Sequence, residues 1–197
     1  MSERIGYAAP RDRLAVRGHT LRMGVVLFLA SELMFFASWF AAYYDLRGRN
    51  VDWGPPAGHP LGETEPAIGT VLLVLSSIFV IVALERGLKK GRSALARRWL
   101  VAAVVLAVVF IGLTLHEWAT NGFGLDTSAY GSLHYGMTGF HAAHVTVGIV
   151  LLSFLAAGVK RPAFLGEHAG GADAISYYWH FVTVVWLGIW ASIFLVK

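Results

Sequence analysis

The sequence predicts an all-α fold: a polytopic membrane helix bundle of five transmembrane helices, with the N-terminus cytoplasmic and the C-terminus outside. Three observations carry that expectation. Apolar runs cover about residues 23–44, 67–84, 99–118, 135–158 and 175–196, each near the ~20 residues a helix needs to cross ~30 Å of hydrocarbon. The mean hydropathy is +0.60, with 56% hydrophobic and only 14% charged residues, a balance that no water-soluble core of this length requires. No run alternates with period two as a barrel strand does, and a backbone in lipid has to satisfy itself, which leaves helices.

The first 22 residues hold five arginines and no apolar core. They do not read as a cleavable leader, and the first span is expected to insert as a signal anchor. The first connection, "RGRNVDWGPPAGHPLGETEP", is rich in Gly and Pro; Pro55 and Pro56 stiffen it, and Trp53 suits the membrane interface. Between the second and third spans, "ERGLKKGRSALARR" forms a basic hairpin. On the fourth span, Gly136, Gly139 and Ala143 leave room for a neighbouring helix. The connections are short, so residues 1–197 are read as one bundle domain.

Orientation follows from Lys and Arg, which resist translocation. The N-terminal segment, residues 85–98 and residues 159–174 carry thirteen of the sixteen basic residues and are placed in the cytoplasm; Arg47, Arg49 and Lys197 lie outside. The sequence pI of about 9.6 reflects this asymmetry and attraction to anionic lipid, so the basic runs are not read as nucleic-acid contacts. The chain has no cysteine, which excludes disulfides, thiolate metal sites and c-type haem attachment.

The candidate functional residues are the polar ones inside the spans. Glu32, in "LFLASELMFF", lies about nine residues into the first span, ~14 Å deep. A carboxylate there costs ~2.5 kcal/mol or more, so it is expected to be protonated, paired with another helix or beside water. His141 and His144, in "YGMTGFHAAHVTVG", are three residues apart on nearly one helix face. They are suited to one partner surface or to one side of a metal, but not to the two faces of a single haem. H-x-x-x-H and E-x-x-H spacings are absent, which favours hydrogen bonding in a helix interface over ligation. Glu117, His116, His134 and His180 are further polar groups, with nothing in their spacing that demands convergence. His180, in "SYYWHFVTVVW", is placed at the cytoplasmic entry of the last span, beside Trp179 and other aromatics that read as an interfacial belt or a lipid contact. Glu117 is placed at the outer end of the third span, solvated by water. Hydrolase and P-loop motifs are absent, and so is the paired-repeat pattern of a transporter.

Four segments taken together, "LASELMFFASWFAAYY", "WGPPAGHPL", "SAYGSLHYGMTGFHAAHVTVG" and "YYWHFVTVVW", resemble in order and spacing the subunit III family of haem-copper terminal oxidases. The resemblance runs from about Leu21 to the C-terminus. It implies a non-catalytic membrane subunit in the bacterial plasma membrane that binds phospholipids and supports a proton-pumping catalytic subunit. The partners implied are subunits I and II, which carry the haem and copper; no cofactor is implied on this chain. By position, Glu32 matches the family's intramembrane carboxyl, and His141, His144 and His180 match its characteristic histidines, which ligate no metal.

Two departures stand out. The chain looks like the five-span form, lacking the first two helices of the seven-span form and with them one wall of the family's lipid cleft. The family's W-H-F-V-D reads here "WHFVT", with Thr183 in place of the acid. Alternatives kept open are a subunit-III-like partner of nitric oxide reductase, a small membrane enzyme with a histidine-based metal centre, and a transporter that uses Glu32 for proton coupling.

Overall fold

The computed structural model describes residues 10–161, 164 and 170–196, with side chains described from Thr20 onward except for residues 21 and 22. The N-terminal arginines and Lys197, used above for orientation, therefore lie outside the described side chains. Among the described residues the secondary structure is entirely helical. Helix α1 spans Pro10–Arg49, α2 Thr64–Val82, α3 Ser93–Thr120, α4 Ala129–Gly158 and α5 Gly170–Trp190. Wider π-type turns extend α2 over Ala83–Leu88 and α5 over Ala191–Leu195.

All five are long and apolar enough to cross a membrane, and each reaches beyond or close to the limits of its apolar run. Proline opens α1 at Pro10 and lies in the first turn of α2 at Pro66, where its missing N–H is no loss. Helix α4 starts at Ser128, whose hydroxyl accepts the Gly131 N–H at 3.0 Å. Gly91 and Gly122, at φ +67° and +69°, take the left-handed turns that follow the α2 extension and α3.

Helices α2, α3, α4 and α5 pack around a common core, α2 against α3, α3 against α4, α4 against α5 and α5 against α2. Helix α1 lies outside this group, against α4 and α5, and only 6% of its apolar window is buried, against 56% for α5. Glycines mark the closest approaches. A Cβ on Gly87 would stand 2.6 Å from the Ala96 Cβ across the α2–α3 hairpin, and one on Gly136 or Gly148 would meet the Trp39 or Trp179 ring at 2.6 Å. The expected close packing at Gly136 is thus a ring seated over a missing side chain. At Gly139 the nearest atom, on Trp118, would be 3.8 Å away, in ordinary contact.

Candidate intramembrane polar site

Several polar residues of the spans form separate pairs, each bridging two helices. At the α1–α4 contact, Glu32 Oε2 lies 2.9 Å from His144 Nε2. The other ring nitrogen, Nδ1, lies 2.6 Å from the Phe140 carbonyl. A carbonyl only accepts, so Nδ1 carries a hydrogen and donates it. One proton then lies between Nε2 and Oε2, whether it is written on the acid or on the ring, and the pair is neutral in both forms. Phe36 and Phe35 shield it, with ring centroids 5.0 and 6.4 Å from that of His144. Tyr178 of α5 donates to the His144 carbonyl at 3.0 Å, so three helices meet here.

An apolar groove of about 420 Å³ opens beside this pair, between α1, α4 and α5. Phe28 and Val25 form one wall, Val147 and Leu151 a second, and His144 and Tyr178 close its end.

His141 does not share the surroundings of His144. It is 1% exposed, stacks on Trp186 at a centroid distance of 5.0 Å and a 28° angle, and meets the Phe110 edge at 5.9 Å. Among the described residues neither ring nitrogen has a hydrogen-bond partner. The expected hydrogen-bonded pair is therefore one hydrogen-bonded ring and one packed ring: three residues along α4 turn the side chain from α1 toward α3 and α5.

Between α2 and α5 runs a ladder of aromatic donors and hydroxyls. Trp179 Nε1 donates to Ser76 Oγ at 3.2 Å and Trp186 Nε1 to Thr70 Oγ1 at 2.9 Å. His180 Nδ1 lies 2.5 Å from Ser77 Oγ. Ser76 and Thr70 donate their own hydrogens to the Leu73 and Pro66 carbonyls, so each hydroxyl closes its helix while accepting from the next. This corrects the reading of "SYYWHFVTVVW" as an interfacial belt. Trp179 and Trp186 are buried, and because α5 starts at Gly170, His180 lies ~15 Å along it instead of at the membrane entry. Thr183, which replaces the acid of the resembling motif, donates to the Trp179 carbonyl at 3.0 Å within its own helix.

Glu117 requires a second correction. It is 5% exposed and not solvated, because α3 continues past it to Thr120 and turns its side chain toward α4. There His134 Nε2 stands 3.6 Å from Glu117 Oε1. His116 pairs instead with Glu65, at 2.9 Å. The acids and imidazoles are thus distributed over the bundle, and among the described residues no three of them gather as a metal site would require.

Beyond the interior, the C-terminal ends of α1 and α5 are tied together. Tyr43 donates to the Ser192 carbonyl at 3.0 Å, Tyr44 OH lies 2.9 Å from Ser192 Oγ, and Arg47 donates to the Val196 carbonyl. Trp53 packs edge-on between Tyr43 and Tyr130.

The sequence profile described as Cytochrome c oxidase subunit III matches residues 9–196. Among curated proteins, cytochrome c oxidase subunit 3 of Corynebacterium diphtheriae is 33% identical over 199 residues, covering 96% of this chain and 95% of that protein. The subunit 3 of Thermostichus vulcanus is 36% identical, covering 88% of this chain and 86% of its own length. The subunit 3 of Lycodon semicarinatus is 32% identical over 88% of this chain, yet only 69% of that longer protein is matched.

Proposed function

Since this chain belongs to the cytochrome c oxidase subunit III family, we propose that it is the five-span, non-catalytic subunit of a prokaryotic haem-copper terminal oxidase. It sits in the bacterial plasma membrane as one bundle with a cytoplasmic N-terminus and packs against subunits I and II, which hold the haem and copper. The length match supports the five-span form: the relatives from Corynebacterium and Thermostichus are aligned over nearly their whole length, the longer Lycodon protein over 69%. The relatives carry the oxidase name, and the nitric oxide reductase reading is not favoured.

The observation that carries the supporting role is the Glu32–His144 pair. Its acid is neutralised by a ring on the neighbouring helix, and that ring has both nitrogens engaged. Such a pair holds α1 onto the bundle and keeps one shared proton inside the membrane, with both ring nitrogens of His144 engaged. The apolar groove beside it is suited to acyl chains, which connects lipid contact to the same site. In this reading the chain contributes stability and durability to the catalytic subunit, while oxygen reduction takes place on the partner.

The experiment is co-isolation. An affinity-tagged chain expressed in its own host and extracted in mild detergent is expected to bring down a larger haem-bearing polypeptide in fixed ratio. Recovery solely as a free monomer across detergents would contradict the subunit reading and return the enzyme and transporter alternatives. Within the complex, Glu32→Gln is expected to assemble normally and to shorten the active lifetime during turnover.

A further inference from the structure

A second cavity, of about 560 Å³, lies at the opposite side of α4 from α1, where α3 starts and α4 ends. Its walls are apolar, with Val101 on α3 and Ala157 and Val159 at the end of α4. Its rim is cationic. Arg97, Arg98 and Lys160 line it and are exposed. Among the described residues none of the three forms an ion pair, and the nearby carboxylate of Glu85 is held by Lys89 at 2.5 Å. The first turn of α3, at Ser93 and Ala94, forms the floor of the rim and adds the positive end of a 28-residue helix.

The vertical arrangement is that of a lipid. Arg97 and Arg98 lie within two turns of the start of α3 and Lys160 just beyond the end of α4, at the level where a span leaves the hydrocarbon. Val101 is a further turn inside, ~12 Å from the helix start. We propose that this crevice binds one anionic phospholipid, its phosphate between Arg97, Arg98 and Lys160 and an acyl chain along the α3–α4 seam past Ala157. Charge complementarity selects the occupant. Three cations without an ion pair among the described residues favour a headgroup of net negative charge and disfavour a zwitterion, whose own ammonium meets them. The groove beside Glu32 and His144 has no cation in its wall, so it takes chains without choosing a headgroup. Both sites lie toward the end of the bundle where α4 finishes, but they flank α4 with different helices, α1 and α5 for one and α3 for the other, and they differ in selectivity.

The test is native mass spectrometry on the full chain in mild detergent, titrated with dioleoylphosphatidylglycerol or dioleoylphosphatidylcholine. One phosphatidylglycerol is expected to bind at least tenfold more tightly than phosphatidylcholine. At ~1 kcal/mol, or about fivefold, per basic residue, the combined Arg97→Gln, Arg98→Gln, Lys160→Gln variant is expected to lose about a hundredfold in affinity. A charge-matched control on the same hairpin, Arg86→Gln, Lys90→Gln, Arg92→Gln, is expected to stay within twofold. Ala157→Phe, which fills the crevice and leaves every cation in place, is expected to weaken binding as well. Equal binding of the two lipids, equal loss in the control, no effect of Ala157→Phe, or displacement of the lipid by millimolar inorganic phosphate would each overturn the site, as a chain-only groove, a diffuse field, surface adsorption or a free-anion site respectively.

Discussion

At the scale of single residues, the two histidines of "TGFHAAHVTVG" do different work although they share a motif. His144 is a hydrogen-bonding group, with one nitrogen on the Phe140 carbonyl and the other on Glu32. Glu32→Gln keeps a donor opposite Nε2, so its thermal stability in detergent is expected to match the unaltered chain. Glu32→Leu removes the partner and is expected to cost about 0.6–1.7 kcal/mol, the range for hydrogen bonds between membrane helices; equal stability of the two variants would count against the pair as a tie. His141 contributes a ring. It is stacked on Trp186, with no partner at either nitrogen among the described residues, so His141→Phe is expected to be neutral or stabilising. His141→Ala leaves a cavity worth roughly 2–4 kcal/mol. Thermal unfolding of both decides the matter, and a Phe variant as damaged as the Ala variant would mean that the nitrogens matter.

At the scale of elements, α5 is held to α2 by two donor–hydroxyl pairs, Trp179 and Trp186, seven residues apart, facing Ser76 and Thr70, six apart. Somewhat under two helical turns separate the members of each set, so antiparallel helices keep donors opposite hydroxyls. A double-mutant cycle with Trp186→Phe and Thr70→Val is expected to show a coupling of about 0.6 kcal/mol; no coupling would remove this bond from the list of ties. Glycine placement gives a sharper contrast. Gly148→Ala puts a methyl group 2.6 Å from the Trp179 ring, whereas Gly139→Ala stays 3.8 Å from Trp118. The first is expected to destabilise by about 1–3 kcal/mol and the second to be tolerated, as measured by retention of a monodisperse peak after heating.

The same elements show what was legible in the sequence. Hydropathy located five spans because the bilayer imposes length and apolarity on each independently. It misplaces Glu117 and His180 because the end of an apolar run is a poor measure of depth: α3 extends two residues past its run and α5 starts five residues before its own. Aromatics at a span end look alike whether they face lipid headgroups or a helix; what distinguishes Trp179 is Ser76 on another helix, 103 positions away. The hydroxyls at Thr70, Ser76 and Ser77, inside an otherwise apolar run, are the sequence signal that marks this contact.

For the molecule as a whole, the arrangement is a four-helix core, α2 to α5, with α1 attached at its side. Helix α1 is mostly uncovered, with Leu27, Leu33 and Met34 at 65%, 58% and 77% exposure, and the Glu32–His144 pair and the Tyr43, Tyr44 and Arg47 contacts hold it in place. A peripheral helix with its acid turned inward and its apolar face outward fits a chain that completes its packing against lipid and larger subunits. In the proposed function the haem and copper of the oxidase belong to those subunits, and the interior of this bundle serves contacts between helices. Optical and elemental analysis of the chain separated from its complex tests this most directly. The expected result is no haem absorbance and no stoichiometric transition metal, with the five-helix fold retained. A metal or haem that stays with the isolated chain in fixed ratio, and leaves it in the His141→Ala, His144→Ala double variant, would contradict it.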